Sequence, residues 1–491
     1  MEQHLISVDL GGSKVVAALG KRSRHNEIVV VDIVEVAMDG YTSGEITNIK
    51  NVTTAIQSAV ATLENRNTLK ASEVWVGTSG KHIVCTDQSG SVFVGGHGGE
   101  ITEQVVERLI ENMNNVQAPD GKVILSRIPQ NYKVDASETI GSPVGHFGNK
   151  LSTTFSFILG GKAVLDRIED AFARTGITSP HFVCGAMATA SVVASEEEKE
   201  AGVAVIDLGA GTTDLCIIQN KVVRYAASIP IGSAAINKDI QSIGVPTSTI
   251  ERLKVGYGHA AASTIPADKL NNTIVINAHS QYQKNKSISY RDLTTVIESR
   301  MLDIIDLVNK EIKASGYHNR LPNGIILTGG GSQLNGVEVI FAEHTGYDVR
   351  LGAAECNISQ ESIENAFAPA YATAVGLLAM GIEESIAPAS EEEYGYEQPA
   401  EQSAAQNDYP AGSGDEELIP YGTTQAEDTN EADNNAPAYG YDDDTPLDGG
   451  EEDEPIDIDD TPIAPKRGFM RRLRDWANDT IFGGNIIDDE M

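Results

Sequence analysis

Two acidic glycine turns, Asp9-Leu10-Gly11-Gly12-Ser13-Lys14 and Asp207-Leu208-Gly209-Ala210-Gly211-Thr212-Thr213-Asp214, carry most of the chemistry legible in this chain. Each follows a β-branched apolar run, at 4–8 and 203–206, and precedes another, at 15–19 and 215–218, so each reads as a hairpin turn between strands. Glycine lets the backbone come close to a ligand, and consecutive turn amides pointing inward make an anion-binding concavity. The Asp at the strand end places a carboxylate where a phosphate-bound magnesium needs one, directly or through water. One glycine hairpin alone is as well read as a plain turn. Two of them, each with an Asp at the same offset, point to a nucleotide clamped between two halves.

A third turn, Thr328-Gly329-Gly330-Gly331-Ser332, follows the apolar run 325–327 and predicts a helix start at Ser332, whose free amides suit a phosphate or a polar sugar edge. Between the second and third turns, Glu251 and Lys254 stand at i and i+3 on a predicted helix, where they share one face. They read either as a ligand contact or as an ordinary surface ion pair.

The elements that must position these turns repeat in outline. Residues 1–82 give strand, hairpin, further strands, a helix at 52–64 and a strand at 73–76; the same half resumes at 162–201, with a helix at 163–175 ended by Gly176. An inserted α+β unit occupies 83–161, with a helix at 103–114 and strands at 123–128 and 151–159. The second half runs from 202 to 382, with a largely helical outer lobe at 224–300, a helix at 301–312 before the third turn, and a last helix at 368–380 rich in Ala and Gly.

Phosphate hairpin, phosphate hairpin, Glu-x-x-Lys helix and third glycine turn, in that order, resemble the actin, sugar kinase and heat-shock chaperone ATPase superfamily. Within it, Gly77-Thr78-Ser79-Gly80-Lys81-His82-Ile83, Arg127-Ile128-Pro129-Gln130-Asn131-Tyr132, the run 149–157, and Ile229-Pro230-Ile231-Gly232 with Gly256-Tyr257-Gly258 are similar to the bacterial FtsA cell-division family. The likeness covers 4–382 and returns in the final twenty-five residues. It implies an α/β, two-lobed actin-like ATPase fold with an inserted small subdomain that contacts neighbouring subunits and later division proteins. It further implies ATP and magnesium as cofactors. The amides of Gly11, Gly12, Ser13, Gly209, Gly211, Thr212 and Thr213 would hold phosphates, Lys14 would neutralise the outer phosphate, and Asp9 and Asp207 would order the magnesium. Gly329, Gly330, Gly331 and Ser332, with Glu251 and Lys254, would hold the adenosine. Asp214 would either assist the metal or stabilise its turn.

Hydrolysis in this superfamily also uses a Glu or Gln to orient water at the start of the helix joining the halves. Here that stretch is Cys184-Gly185-Ala186-Met187-Ala188-Thr189-Ala190, without carboxylate or carboxamide, so slow turnover is expected. A sugar kinase would need a general-base Asp in a sugar pocket, and one large kinase group adds a Glu-x-Gly-His and a cysteine-rich zinc motif; neither motif is present. An actin-like pilus assembly protein shares the fold and the insert position, but the chain's tail argues against it.

The net charge of −35 is unevenly spread: no Lys or Arg lies between Arg350 and Lys466. Residues 383–465 are acidic and poor in large aliphatics, which predicts a disordered linker whose reach is about 50 Å as a neutral chain. After it, the segment 466–482 places Phe469, Met470, Leu473 and Trp476 on one helical face, flanked by Arg471 and Arg472, with a short tail at 483–491. A basic amphipathic helix carrying Trp and Phe predicts an in-plane anchor on an anionic membrane surface. The absence of a leader or an apolar run of eighteen residues predicts a cytoplasmic chain that does not span a membrane. Four scattered cysteines predict buried, unpaired thiols. By resemblance the partners are the FtsZ tail, further copies of the chain in a filament, and later division proteins, on the cytoplasmic side of the cell membrane at the division site. No nucleic acid is expected. Lys286, Arg291 and Arg300, with Lys284, Asn277 and Tyr290 nearby, offer a basic groove for the acidic FtsZ tail.

Overall fold

The computed structural model of the protein describes residues 4–71, 73–95, 98–139, 141–276, 285–385 and the pair 456–457. Lys284, Asn277 and the anchor segment 466–482 lie outside the described residues, as does nearly all of the acidic stretch 383–465.

The first half opens with three antiparallel strands, β1 (His4–Leu10), β2 (Lys14–Arg22) and β3 (Ile28–Ala37). Helix α1 (Ile49–Asn67) then returns the chain to β4 (Glu73–Thr78), parallel to β1. The side chain of Asn48 accepts from the Asn51 amide and starts α1, while Thr68 in the left-handed region ends it. These caps extend the helix beyond the apolar stripe Val52, Ile56, Val60 and Leu63 that buries it against the sheet.

The insert follows. It comprises β5 (Val84–Phe93), α2 (Glu103–Asn114), β6 (Lys122–Val134), β7 (Ser137–Thr139) and β8 (Lys150–Gly161), in the sheet order β7-β6-β8-β5. Helix α2 buries Val105, Leu109 and Met113 against Leu151, Phe155, Phe157 and Leu159, so the unit has its own core. His82 pins its root. The Gly161 amide donates to His82 Nδ1 at 3.2 Å, Nε2 lies 3.0 Å from the Ser79 carbonyl, and Lys122 donates to the His82 carbonyl at 3.2 Å. Burial, the larger effect, lowers the pKa of this imidazole, which suits a neutral ring with its proton on Nε2.

The first half is completed by α3 (Lys162–Ala173), then β9 (Ser179–Cys184), which runs parallel to β4, and the connecting helix α4 (Gly185–Val193). The second half repeats the plan with β10 (Val203–Leu208), β11 (Thr213–Gln219) and β12 (Val222–Ile229), then an outer lobe. The lobe holds α5 (Ala234–Ser242), α6 (Thr247–Tyr257), β13 (Thr273–Ile276) and β14 (Lys286–Ser289). From it α7 (Tyr290–Ala314) leads to β15 (Ile325–Thr328), β16 (Val349–Leu351) and the last core helix α8 (Ala372–Glu384). A final two-residue strand, β17 (Ile456–Asp457), pairs in parallel with β13.

The two five-stranded sheets have matching orders, β3-β2-β1-β4-β9 and β12-β11-β10-β15-β16, each an antiparallel hairpin trio joined to two parallel strands. Helices α4 and α8 pack against one another between them. One core unites Val16 and Val30 from the first sheet, Ala190 and Val375 from these helices, and Val205 and Cys216 from the second sheet. A Cβ on Gly376 would lie 1.9 Å from the Ala188 carbonyl oxygen, so only glycine permits this helix crossing. The four cysteines are free, with Cys184 and Cys216 buried.

Three boundaries differ from the sequence reading. Arg224 belongs to β12 of the central sheet, so the outer lobe begins after Ile229 and not at 224. The helix expected at 301–312 begins eleven residues earlier, at Tyr290, where the Ser289 hydroxyl accepts from the Asp292 amide. Lobe and core therefore share one rod rather than meeting at a break. The last helix begins at Ala372 rather than 368, because Pro369 holds Ala368 extended and opens a 3-10 turn at Pro369–Tyr371.

Candidate nucleotide-binding site

The two acidic turns close in the same way. In the first, the Gly11 amide donates to the Lys14 carbonyl at 2.9 Å, and a Cβ on Gly11 would sit 2.9 Å from that oxygen. In the second, a Cβ on Gly209 would sit 2.9 Å from the Thr212 carbonyl oxygen. Strand register places Asp9 opposite Val16 and Asp207 opposite Asp214, each two residues before its turn's first glycine. The turns also abut: a Cβ on Gly12 would lie 2.8 Å from the Gly211 nitrogen. Two amide-rich loops thus meet head to head at the mouth between the halves.

Three carboxylates gather behind them. Asp207 is buried, and its Oδ2 accepts from Thr373 Oγ1 at 2.7 Å and Thr189 Oγ1 at 3.1 Å. Asp214 Oδ2 accepts from Thr212 Oγ1 at 3.0 Å, and its Oδ1 accepts from Ser228. Burial, and then the Asp207 charge, push Asp9 and Asp214 up to about 7; burial also raises Asp207. Such a cluster calls for a cation. Among the described residues no three acidic, His or Cys groups converge closely enough to hold a metal directly, so magnesium would be held through water and phosphate oxygens. Asp214 is bonded within its own hairpin by Thr212 and Ser228, which is the turn-stabilising role of the two left open for it.

Lys14 is turned to other work. Its ammonium pairs with Glu35 at 2.5 Å and lies 4.6 Å from the centre of the Tyr371 ring. Neutralising an outer phosphate would require it to share or leave Glu35.

The third turn packs directly on the second. Gly329 has φ +84°, and a Cβ there would lie 2.1 Å from Asp207 Oδ1, so a side chain would collide with the buried carboxylate. Gly330–Gln333 forms a 3-10 turn, and the α-helix expected at Ser332 starts only at Val337, after Gly336 with φ +74°. Ser332 is buried, and its hydroxyl donates to the Gly329 carbonyl at 2.8 Å. That hydroxyl braces the turn; Gly330 and Gly331 offer backbone only. Across from it, Lys254 Nζ pairs with Glu251 Oε2 at 2.9 Å, and Asn237 Nδ2 donates to the same carboxylate oxygen at 2.7 Å.

Several residues of this site escaped the sequence reading. Thr189 and Thr373 orient Asp207 from α4 and α8. Tyr41 is buried with a hydroxyl that has no partner among the described residues, and its pKa is raised by burial and by the charges of Asp9 and Asp214. Asn237 Oδ1 and Gln333 Oε1 are likewise buried and unpartnered. Orphaned polar atoms beside the phosphate turn and the third turn are what a polar ligand leaves behind when the cleft is described without it. The residues present therefore fit a nucleotide with magnesium.

The proposed partner residues lie elsewhere, on the outer lobe. Lys286 Nζ donates to the carbonyls of Ile243 (3.1 Å) and Gly244 (2.6 Å), and Arg291 Nη2 donates to Asn271 Oδ1 at 3.1 Å. Arg300 grips Asp239 through two bonds of 2.7 and 3.0 Å and also meets Asp303 at 2.9 Å. Arg300 is thus committed to holding α5 against α7, while among the described residues Arg291 is engaged by the neutral side chain of Asn271.

Comparison with known proteins agrees with the fold and the insert. The family described as cell division protein FtsA matches residues 204–376, and the SHS2 domain inserted in FTSA matches residues 80–159. The cell division protein FtsA of Neisseria meningitidis serogroup B is 31% identical over 383 residues, covering 77% of this chain and 90% of that protein. That of Escherichia coli strain K12 is 28% identical over 387 residues, again 77% and 90%. Among solved structures, a chain of a PilM-PilN type IV pilus biogenesis complex superposes with a TM-score of 0.52 at 14% identity, covering 78% of this chain and 99% of that one, a likeness of fold alone. Matched across nine-tenths of the Neisseria protein, and with the inserted domain in its expected place between β4 and α3, the chain belongs to the FtsA family of cell-division proteins and has the actin-like fold.

Proposed function

We propose that this protein binds ATP and magnesium between its two halves, polymerises at the inner face of the cell membrane at the division site, tethers the FtsZ ring there and recruits later division proteins. The observation that carries the nucleotide part is the pair of opposed glycine turns backed by Asp9, Asp207 and Asp214. The amides of Gly11, Gly12 and Ser13, and those from Gly209 to Thr213, would bind phosphate oxygens, and Asp9 and Asp207 would order the metal's water. Magnesium, when bound, supplies the positive charge that crowded carboxylates and phosphates both lack. Gly329 to Ser332 with Glu251, Lys254 and Asn237 would close around the adenosine.

Hydrolysis is expected to be slow. Helix α4 presents Thr189, not a carboxylate, towards the cleft, and that hydroxyl is occupied with Asp207. Attack by water would therefore lack a base from α4, and the nucleotide would act chiefly as a gate for assembly. The membrane part rests on the sequence 466–482. One such helix binds reversibly, at roughly 1 kcal/mol per basic residue near an anionic leaflet plus its buried apolar side chains. Several on one filament would hold together through effective concentration.

Sedimentation with anionic vesicles, with and without MgATP and an FtsZ tail peptide, tests the whole reading. Expected is vesicle binding that strengthens with MgATP and retains the peptide. Vesicle binding indifferent to both would remove the link between nucleotide, assembly and partner.

A further inference from the structure

A short hairpin between β3 and α1 reaches over the phosphate turns. Tyr41 pairs with Ile46 and Thr42 with Glu45, and the two residues between them, Ser43 and Gly44, have φ +50° and +86°, both left-handed as the tightest hairpin turns require. The base of this hairpin is tied to the first phosphate turn, where the Met38 amide donates to the Ser13 carbonyl at 2.9 Å. Its tip meets both halves. A Cβ on Gly44 would overlap the Ser79 carbonyl oxygen, a Cβ on Gly211 would lie 3.2 Å from the Ser43 nitrogen, and Ser43 Oγ donates to the Pro230 carbonyl at 3.1 Å.

Tyr41, at the root of the hairpin, is 3% exposed, and its ring lies in the core of the first half with Leu10, Val15 and Met38. Its hydroxyl is buried and has no partner among the described residues. A phenol has one proton to donate, and leaving that donor unpaired in a dry interior costs the free energy of its lost hydration. Burial first, then the charges of Asp9, Asp214 and Glu45, hold the phenol protonated, so it remains a donor at ordinary pH. Glu45 is itself paired with Lys81 at 3.1 Å. The remaining two charges are the carboxylates behind the phosphate turns, so the unpaired O–H stands at the edge of the cleft's phosphate end.

We propose that the Tyr41 hydroxyl is the donor that recognises the terminal phosphoryl group of a nucleoside triphosphate, so that the hairpin carrying it tells triphosphate from diphosphate. This rests on the reading above that a nucleotide lies between the halves. The order of the turns selects the terminal group. The third turn packs on the start of the second, where a Cβ on Gly331 would lie 2.8 Å from the Leu208 carbonyl oxygen. The hairpin packs on the far end of the second turn, at Gly211, and on the first turn, at Ser13. A nucleotide with its base at the third turn therefore brings its last phosphate to the hairpin, and a phosphate oxygen is a strong acceptor for a fixed O–H. Because Ser43 also bonds across to Pro230, the residue that reads the terminal phosphate belongs to a segment that touches both halves.

The test compares the full chain with its Tyr41→Phe variant, which keeps the ring and removes the hydroxyl alone, by calorimetry with MgATP and with MgADP. A hydrogen bond to a charged oxygen is worth roughly tenfold or more in affinity. The variant should therefore bind MgATP at least tenfold more weakly than the wild type, and MgADP within twofold of it. Free of nucleotide, the variant should melt no lower than the wild type, because it sheds a buried hydroxyl that had no partner. Equal losses for the two nucleotides would assign the hydroxyl to the inner phosphates or the metal's water and overturn the proposal. Unchanged MgATP affinity, or a variant that melts lower when free of nucleotide, would overturn it too. The underlying reading is judged separately: a wild type that binds neither nucleotide removes that reading and this inference together, whereas binding of both with the same ratio in the two proteins removes the inference alone.

Discussion

Thr373 Oγ1 donates to Asp207 Oδ2 at 2.7 Å, and the same hydroxyl lies 2.9 Å from Thr189 Oγ1, so two core helices, α8 and α4, jointly fix one carboxylate at the phosphate turns. Asp207→Ala is expected to weaken MgATP binding at least tenfold. Thr373→Val should weaken it less, because a hydrogen bond to a charged group is worth about 1.5–3 kcal/mol and Thr189 keeps its own bond. Titration with a fluorescent ATP analogue gives both values; an Asp207→Ala protein with wild-type affinity would take the metal site elsewhere.

The raised carboxylates make stability depend on pH in the nucleotide-free protein. Asp9 and Asp214 have folded-state pKa values near 7, above their ordinary 3.8, so they favour folding in the protonated form. Their contribution is fully present below about pH 4 and is lost as pH rises through 7. Asp214→Asn, which keeps the shape without the charge, should raise the melting temperature at pH 8 and flatten its decline between pH 5 and 8, while reducing the stabilisation gained from MgATP. Thermal scans across that range would show the same slope in mutant and wild type if Asp214 were not strained.

Steady-state ATP turnover is expected below about 1 s⁻¹, the low end of ordinary enzyme rates. Helix α4 from Gly185 to Val193 contains no acidic or amide side chain. A phosphate-release assay exceeding that rate would mean that a residue outside α4 orients water.

On the outer lobe, Arg291→Glu should weaken binding of an FtsZ tail peptide without loss of stability. Arg300→Glu should lower the melting temperature as well, since it sets two carboxylates, Asp239 and Asp303, against a third. Calorimetry with the peptide, beside a melting curve for each variant, separates the two effects. Equal peptide binding by wild type and Arg291→Glu would move the partner site off this face.

Trp476→Glu should release the protein from anionic vesicles, because a carboxylate at the centre of the apolar face removes buried area and adds a desolvation cost. Removing twenty residues from the acidic stretch should not, since its length governs reach rather than affinity. Flotation of the two variants beside wild type decides; a Trp476→Glu protein that floats fully would place the membrane contact elsewhere.

What was legible in the sequence was what chemistry writes locally. Asp9 with Gly11 and Gly12, and Asp207 with Gly209 and Gly211, sit in contiguous turns, and their spacing alone shows strand, turn and strand. Thr189, Thr373, Tyr41 and Asn237 are ordinary residues in ordinary contexts, and only the folding of distant segments brings them to the cleft. Ser332 misled because a serine after glycines looks like a helix cap, whereas the left-handed Gly329 turns its hydroxyl back on the loop. Arg300 misled for a related reason. Sequence shows a cation but not the aspartates 61 and 3 residues away that neutralise it.

The contact of Gly376 with Ala188 has a mechanical meaning. Two helices that meet backbone to backbone leave no room for a side chain between them, so their separation is set by the main chain itself. The same two helices, α4 and α8, hold Asp207 through one hydroxyl each. A residue larger than glycine at 376 would therefore disturb a buried carboxylate of the cleft as well as a helix crossing.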